Sequence, residues 1–280
     1  MAKRIIKAVA FDIGGVVATS PLIAIAEYET QNGISDNYIN NSIVRRGSEG
    51  AWQQFERGEL ALFPFYVAFG RELSDTANGN VWYAEYCQKR GLECPQLPRA
   101  LRIDGRELFG RMMRKSQELD IHILEAIRRI RAAGRWRLIA ITNNFSTIDA
   151  SQLGFDDSFV DKYPDARLDT ELEFLGWTDG AVPQYLRGLF DDFVDSSEVG
   201  MRKPEIGFYM LACTRNDVRP EEVVFLDDLR LNLKAARSIG METIHVPIGG
   251  SLAALKQLEE VLGIDLTGDV DPGERTPSKL

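Results

Sequence analysis

Residues 223–246 read VVFLDDLRLNLKAARSIGMETIHV. A short run of β-branched and aromatic residues, Glu222 to Leu226, ends at a pair of aspartates, Asp227 and Asp228. Leu229 to Ile239 has helical patterning and stops at Gly240, and Glu242 to Val246 is a second strand-like run. A helix between two strands makes a βαβ unit, whose strands run parallel.

The same pattern extends outward. Residues 5–11, IIKAVAF, form a buried strand that ends in the Gly14-Gly15 turn. Trp136 to Ile141, WRLIAI, is a strand ending at Thr142, and Phe193 to Asp195 is a further short one. Ile121 to Ala132 is spaced as a helix and is followed by Gly134; Pro204 to Thr214 begins with Pro, as a first helical turn allows. The fold class expected is α/β, a Rossmann-like doubly wound parallel sheet with an inserted α-helical cap. The cap is the stretch 19–117, which has few strand-forming runs and several amphipathic pieces, among them Pro21 to Thr30, Ser48 to Arg57 and Leu60 to Leu73. The core comprises residues 1–18 and 118–265. An extra insertion within it covers 150–190 and is acidic and aromatic, with Asp156, Asp157, Asp161, Asp165, Asp169, Phe155, Phe159, Trp177 and Tyr185. Its aromatic residues are read as packing and not as a substrate lining. Residues 266–280 are expected to be a flexible tail.

Composition narrows the function classes. The 280 residues carry 33 basic and 42 acidic side chains, a formal charge of -9, which argues against nucleic-acid and anionic-membrane partners. No apolar stretch is long enough to span a bilayer, and the N-terminal MAKRIIKAVAFDIGG reads as a strand, not a signal peptide. Cys87, Cys94 and Cys213 form no CxxC pair and suit a reducing, cytoplasmic setting. Two histidines, His122 and His245, exclude a three-histidine zinc site. A homodimer is left open.

In a parallel sheet, ligands bind at the carboxyl ends of the strands. Four features lie there: Asp12, Thr142 with Asn143, Lys203 beside Pro204, and Asp227-Asp228. A carboxylate, a hydroxyl, an ammonium and two more carboxylates around one point suit phosphoryl chemistry. Asp12 and Asp228 can share Mg²⁺. Lys203 neutralises phosphate, while the Thr142 hydroxyl and the backbone N–H groups at Gly14-Gly15 hydrogen-bond its oxygens. An Asp carboxylate can serve as the nucleophile.

The motifs AFDIGGVV (Ala10 to Val17), LIAITNN (Leu138 to Asn144), SSEVGMRKPEIGFY (Ser196 to Tyr209) and VVFLDDLRLNLKAARSIGM (Val223 to Met241) make the chain resemble the haloacid dehalogenase superfamily. Within it, GSEGAWQQFERGEL (Gly47 to Leu60) is similar to a cap segment of the N-terminal phosphatase domain of soluble epoxide hydrolase and of the related domain of a large acyl-CoA dehydrogenase. The resemblance implies a Mg²⁺-dependent phosphatase acting on a small phosphorylated organic substrate. It assigns Asp12 as the nucleophile, with Lys203 and Thr142 also catalytic. Gly14, Gly15, Thr142, Asn143 and Lys203 would bind substrate. Asp12, Asp228 and the Gly14 backbone C=O would hold the metal, with Asp227 and Asn232 behind them.

The chain departs from the superfamily pattern at one position. Phosphatases of this kind usually carry a second Asp two positions after the nucleophile, as general acid and base; here that position is Gly14. Glu49 and Glu56 in the cap are candidates to replace it. Three alternatives stay open: chemistry on a terpenoid diphosphate, chemistry on a haloacid, and a binding or regulatory protein with an impaired site.

Overall fold

The computed structural model describes residues 4–145, 163 and 167–268. Asp156, Asp157, Asp161, Asp165, Phe155 and Phe159 of the expected insertion lie outside the described residues. Five strands form the sheet: β1 (Ala8–Phe11), β2 (Arg137–Thr142), β3 (Asp192–Asp195), β4 (Val223–Asp227) and β5 (Glu242–His245). All pair in parallel in the order β3-β2-β1-β4-β5. Strand order reverses at β1, which sits in the middle, so the crevice beyond its carboxyl end is the place for a ligand.

The helices longer than one turn are, in chain order, α1 (Pro21–Gln31), α2 (Tyr38–Arg45), α3 (Ala51–Glu56), α4 (Leu62–Leu73), α5 (Thr76–Arg90) and α6 (Gly105–Lys115). They continue with α7 (Ile121–Ala133), α8 (Leu168–Leu175), α9 (Ile206–Arg215), α10 (Arg230–Ser238) and α11 (Ser251–Leu262). Strand alternation explains the layering. Val9 and Phe11 pack with Ile123, Ala126 and Ile127 of α7 and Leu255 and Leu258 of α11. Ala8 and Ala10 face the other way, toward Phe208 and Ala212 of α9 and Leu233 and Ala236 of α10. The alanines let that layer come close to the central strand.

Helices α1 to α6 build a separate apolar cluster dense in aromatics. Phe55 stacks on Phe65 at 4.1 Å between ring centroids, and Phe109 meets both edge-on. The chain leaves the sheet for this layer and returns beside the point of departure. Thr19 N–H donates to Glu118 O at 2.7 Å, and Asp120 N–H donates to Val17 O at 2.9 Å. Asp104 and Asp120 cap α6 and α7 by accepting main-chain N–H groups of their first turns.

Three expectations need correction. The helix expected from Pro204 begins at Ile206, and Lys203-Pro204 is a cis peptide in the preceding turn, where Glu205 N–H donates to Arg202 O. Glu205 is extended and serves as the N-cap, so the Lys203-Pro204 pair sits outside the helix. The 150–190 insertion, expected within the core, divides between the layers: Val182, Leu186, Leu189 and Phe190 pack in the sheet core, whereas α8 packs against α6. There Leu175 and Trp177 join the helical cluster, and the Trp177 ring stacks on Phe145 and meets Phe109 edge-on. Trp177 is thus packing, whereas Tyr185 is exposed. The tail does not begin at 266: Glu259 Oε1 accepts the N–H groups of Leu266 and Thr267 and the Thr267 hydroxyl, and Leu266 is buried.

Glu29, in α1, is fully buried and accepts N–H groups from Asn37 at 2.8 Å and Ile39 at 2.7 Å. Burial dominates over these bonds and pushes its carboxyl from 4.5 up to about 7. Between those values the folded chain holds a proton that the unfolded chain has lost, so stability falls as pH rises through this window. Urea unfolding at pH 5 and pH 8 should show this fall, and Glu29→Gln should flatten it; an equally steep profile in the variant would assign the effect elsewhere.

Candidate active site

Phe11 pairs with Ala140 on one side and Leu226 on the other, so the ends of β1, β2 and β4 reach the same edge. Asp12 follows β1, and its N–H continues the ladder to Leu226 O at 2.9 Å. One carboxylate oxygen of Asp12 accepts Ile13 N–H at 2.7 Å, and the other lies 2.7 Å from the Lys203 ammonium. Lys203 is only 1% exposed and also donates to Asp227 at 2.8 Å. Asp12, Asp227 and Asp228 each offer an oxygen within 4.8 Å of the others.

The electrostatics follow from this crowding. Burial raises Asp12 well above the usual carboxylate value; Lys203 opposes the rise, while Asp227 and Asp228 add to it. Asp228 is pushed up to about 7 by burial and by Asp227, against the pull of Lys203 and Ser20. Burial works to lower the Lys203 ammonium, but Asp12 and Asp227 outweigh it and the net shift is upward.

The other expected residues divide by what holds them. Asp227 is fully engaged: besides Lys203 it accepts Leu229 N–H at 2.7 Å and both 3.1 Å bonds of the Asn232 amide. Asn232 thus orients the residue that holds the lysine. Thr142 ends β2 buried, and its hydroxyl makes a long 3.4 Å contact to Asn143 O. The Asn143 side chain clamps the Lys203 backbone, donating to its C=O at 3.1 Å and accepting its N–H at 2.7 Å. Only the main chain of Asn143 is therefore left to meet a ligand.

Gly15 differs from expectation. Its N–H donates to Ala18 O at 2.7 Å, so it is turned inward and not offered to a phosphate. What the site needs there is the missing side chain: Gly15 has φ +89, and a Cβ on it would lie 2.1 Å from a carboxylate oxygen of Asp228. At Gly14 the reverse holds. Its backbone is not left-handed, and an added Cβ would meet only Pro21 at 3.8 Å.

Some residues of the site have only faint signals in the sequence. Ser20 precedes Pro21 and reads as a helix cap, yet it makes no capping bond and donates to Asp228 at 3.1 Å. His245 Nε2 lies 3.0 Å from Asp228 O. Asn144 donates to Asp195 at 2.7 Å and, through its N–H, to Ser196 at 3.0 Å, tying the end of β2 to the loop after β3. Of the cap carboxylates, Glu49 is exposed, whereas Glu56 is buried against Arg202 at 2.5 Å.

Among the described residues no helix is long and apolar enough to cross a membrane. Acyl-CoA dehydrogenase family member 10 of Mus musculus is 30% identical over 94% of this chain, which spans 20% of that protein's length. Bifunctional epoxide hydrolase 2 of Sus scrofa is 26% identical over 98% of this chain and 42% of its own length. Sesquiterpene phosphatase astK of Aspergillus oryzae is 25% identical over 92% of this chain and 97% of its own. The profile of the haloacid dehalogenase-like hydrolases matches residues 6–240, which include the ends of β1, β2, β3 and β4, and the chain belongs to that family.

Proposed function

We propose that this chain is a Mg²⁺-dependent phosphatase that hydrolyses a small organic phosphate through an aspartyl-phosphate on Asp12. The reading rests on one observation: Asp12, Asp227 and Asp228 meet within 4.8 Å beside the buried Lys203 ammonium. Ionised together, these three carboxylates outnumber the ammonium by two charges, which a divalent cation balances. Burial raises the Asp12 and Asp228 carboxyls, and the neighbouring carboxylates add to the rise. With Asp227 engaged by Lys203, Leu229 and Asn232, the residues that would hold the ion are Asp12 and Asp228, with the Gly14 C=O as a third hard oxygen donor. When bound, the metal supplies charge neutralisation and polarises phosphoryl oxygens.

The chain's own groups do the rest. A carboxylate oxygen of Asp12 attacks phosphorus, and the bond from phosphorus to the leaving oxygen breaks. Lys203 offsets charge on Asp12 and on the phosphate, while the Thr142 hydroxyl and main-chain N–H groups of the strand-end loops bind the non-bridging oxygens. Water then attacks the phosphorus of the acyl phosphate, releasing phosphate and restoring Asp12. Gly14 has no acid for the leaving oxygen, so its proton comes from solvent or substrate. Good leaving groups are therefore favoured.

The likeness to a sesquiterpene phosphatase over nearly all of both chains supports phosphate chemistry with an apolar organic group. Haloacid hydrolysis, which needs no metal, gives the acidic cluster nothing to do. The test is a panel of phosphate esters, run with Mg²⁺ and with a chelator, on wild type and Asp12→Asn. Turnover is expected only for wild type with metal. Halide release without metal would favour the dehalogenase reading, and a folded protein inert to the whole panel would favour the binding-protein reading.

A further inference from the structure

Glu56 ends α3 in the helical layer, but its carboxylate is held by a residue of the sheet layer. Arg202 Nε donates to Glu56 Oε2 at 2.6 Å, and Nη2 lies 2.5 Å from the same oxygen. Arg202 immediately precedes Lys203, whose ammonium is 2.7 Å from Asp12. The same end of α3 touches the sheet layer at two further points. Glu56 O accepts the Ser196 hydroxyl at 2.5 Å, and Gly58 is so close to the next residue that a Cβ there would lie 2.9 Å from Ser197 O. Ser196 also accepts Asn144 N–H, and Asn143 clamps the Lys203 backbone. The end of α3 therefore contacts the segment that carries Lys203, and Asn143 and Asn144 tie that segment to the end of β2 beside Thr142.

Two roles are open to a buried cap carboxylate in this place. A general acid needs a proton and a free path to the leaving oxygen. Burial favours the proton, and Arg202 opposes it. The geometry decides against the path: the carboxylate is buried, and Arg202 takes one of its oxygens through two N–H groups. We propose that Glu56 is a positioning residue that acts through Arg202. Seating the cap on the core brings the two together, and their ion pair sets the backbone at Lys203 so that its ammonium meets Asp12. The inference rests on the phosphatase reading and adds a means by which cap docking assembles the site.

The test is a double-mutant cycle with Glu56→Gln, Arg202→Gln and the pair. Mg²⁺-dependent hydrolysis of aryl phosphates of graded leaving-group pKa is followed, with amide hydrogen exchange over residues 196–205 measured without substrate. Each single substitution should lower kcat about 10²-fold, as a displaced catalytic group does, with KM within about threefold. The loss should be equal across leaving groups, the double variant no slower than the slower single one, and Arg202→Lys should recover part of the activity. Exchange at 196–205 should quicken while α4 and α6 keep wild-type protection. A Glu56→Gln loss that grows with leaving-group pKa would make Glu56 the acid and overturn the inference. Unchanged kcat, or losses that multiply, would overturn it too. Wild type inert on every ester would sink the phosphatase reading instead; exchange then decides, quickening supporting the link from Glu56 to the Lys203 loop and unchanged exchange refuting it.

Discussion

Gly14→Asp is expected to raise kcat for alkyl phosphates by about 10²-fold or more, the range a positioned acid–base group supplies. The backbone accepts the change: Gly14 is not left-handed, and an added Cβ meets only the Pro21 ring edge at 3.8 Å. The new carboxylate would stand two residues from Asp12, where it can protonate the leaving oxygen and then activate water. Activated aryl esters, whose leaving groups need no proton, should gain little, so rate should become less sensitive to leaving-group pKa. The variant also adds a negative charge to a site already rich in them. It should melt earlier than wild type in chelator and regain stability in Mg²⁺. A folded, metal-binding variant with no gain on alkyl esters would show that the leaving oxygen already has its acid.

Lys203→Met is expected to abolish turnover and to destabilise the fold by about 3–5 kcal/mol, the usual effect of removing one partner from a buried ion pair. The ammonium is 1% exposed and touches Asp12 and Asp227 at 2.7 and 2.8 Å. Without it the cluster of carboxylates keeps its burial and loses its cation. The deficit should therefore shrink at low pH, as the carboxylates take up protons, and shrink again in saturating Mg²⁺. Urea titrations of both proteins, at two pH values with and without the metal, measure this. A change under about 1 kcal/mol would mean that the cluster draws little stability from the lysine.

Some features of the fold and the site are legible in the sequence and others are not. Strands β1, β2 and β4 are short apolar runs that each end at a polar residue, and their period and length suffice to place Asp12, Thr142 and Asp227 at one sheet edge. Lys203 is legible from its place in a motif, although the turn that presents it is not. The Asn143 clamp arises only when the β2 and β3 loops lie side by side. Gly15 has a readable pattern and an unreadable purpose, because what it makes room for is Asp228, from β4. Ser20 has the look of a helix cap and a different occupation. Glu56 and Arg202 are 146 positions apart, and no local pattern links a cap helix end to the residue before a lysine. The insertion after β2 is half legible for the same reason. Its acidic and aromatic composition fits a core extension or a cap extension, and only the packing shows that it is both, with Leu186 and Phe190 in the sheet core and α8 on α6.

Transfer of the phosphoryl group to Asp12 is the step from which the proposed activity follows. Rapid quench of wild-type protein during turnover of p-nitrophenyl phosphate with Mg²⁺, followed by hydroxylamine treatment and peptide mass spectrometry, reads this directly. A hydroxamate on the peptide containing Asp12, absent from Asp12→Asn and from samples without substrate, is the result expected. Turnover with Asp12 unmodified, or undiminished in Asp12→Asn, would contradict it.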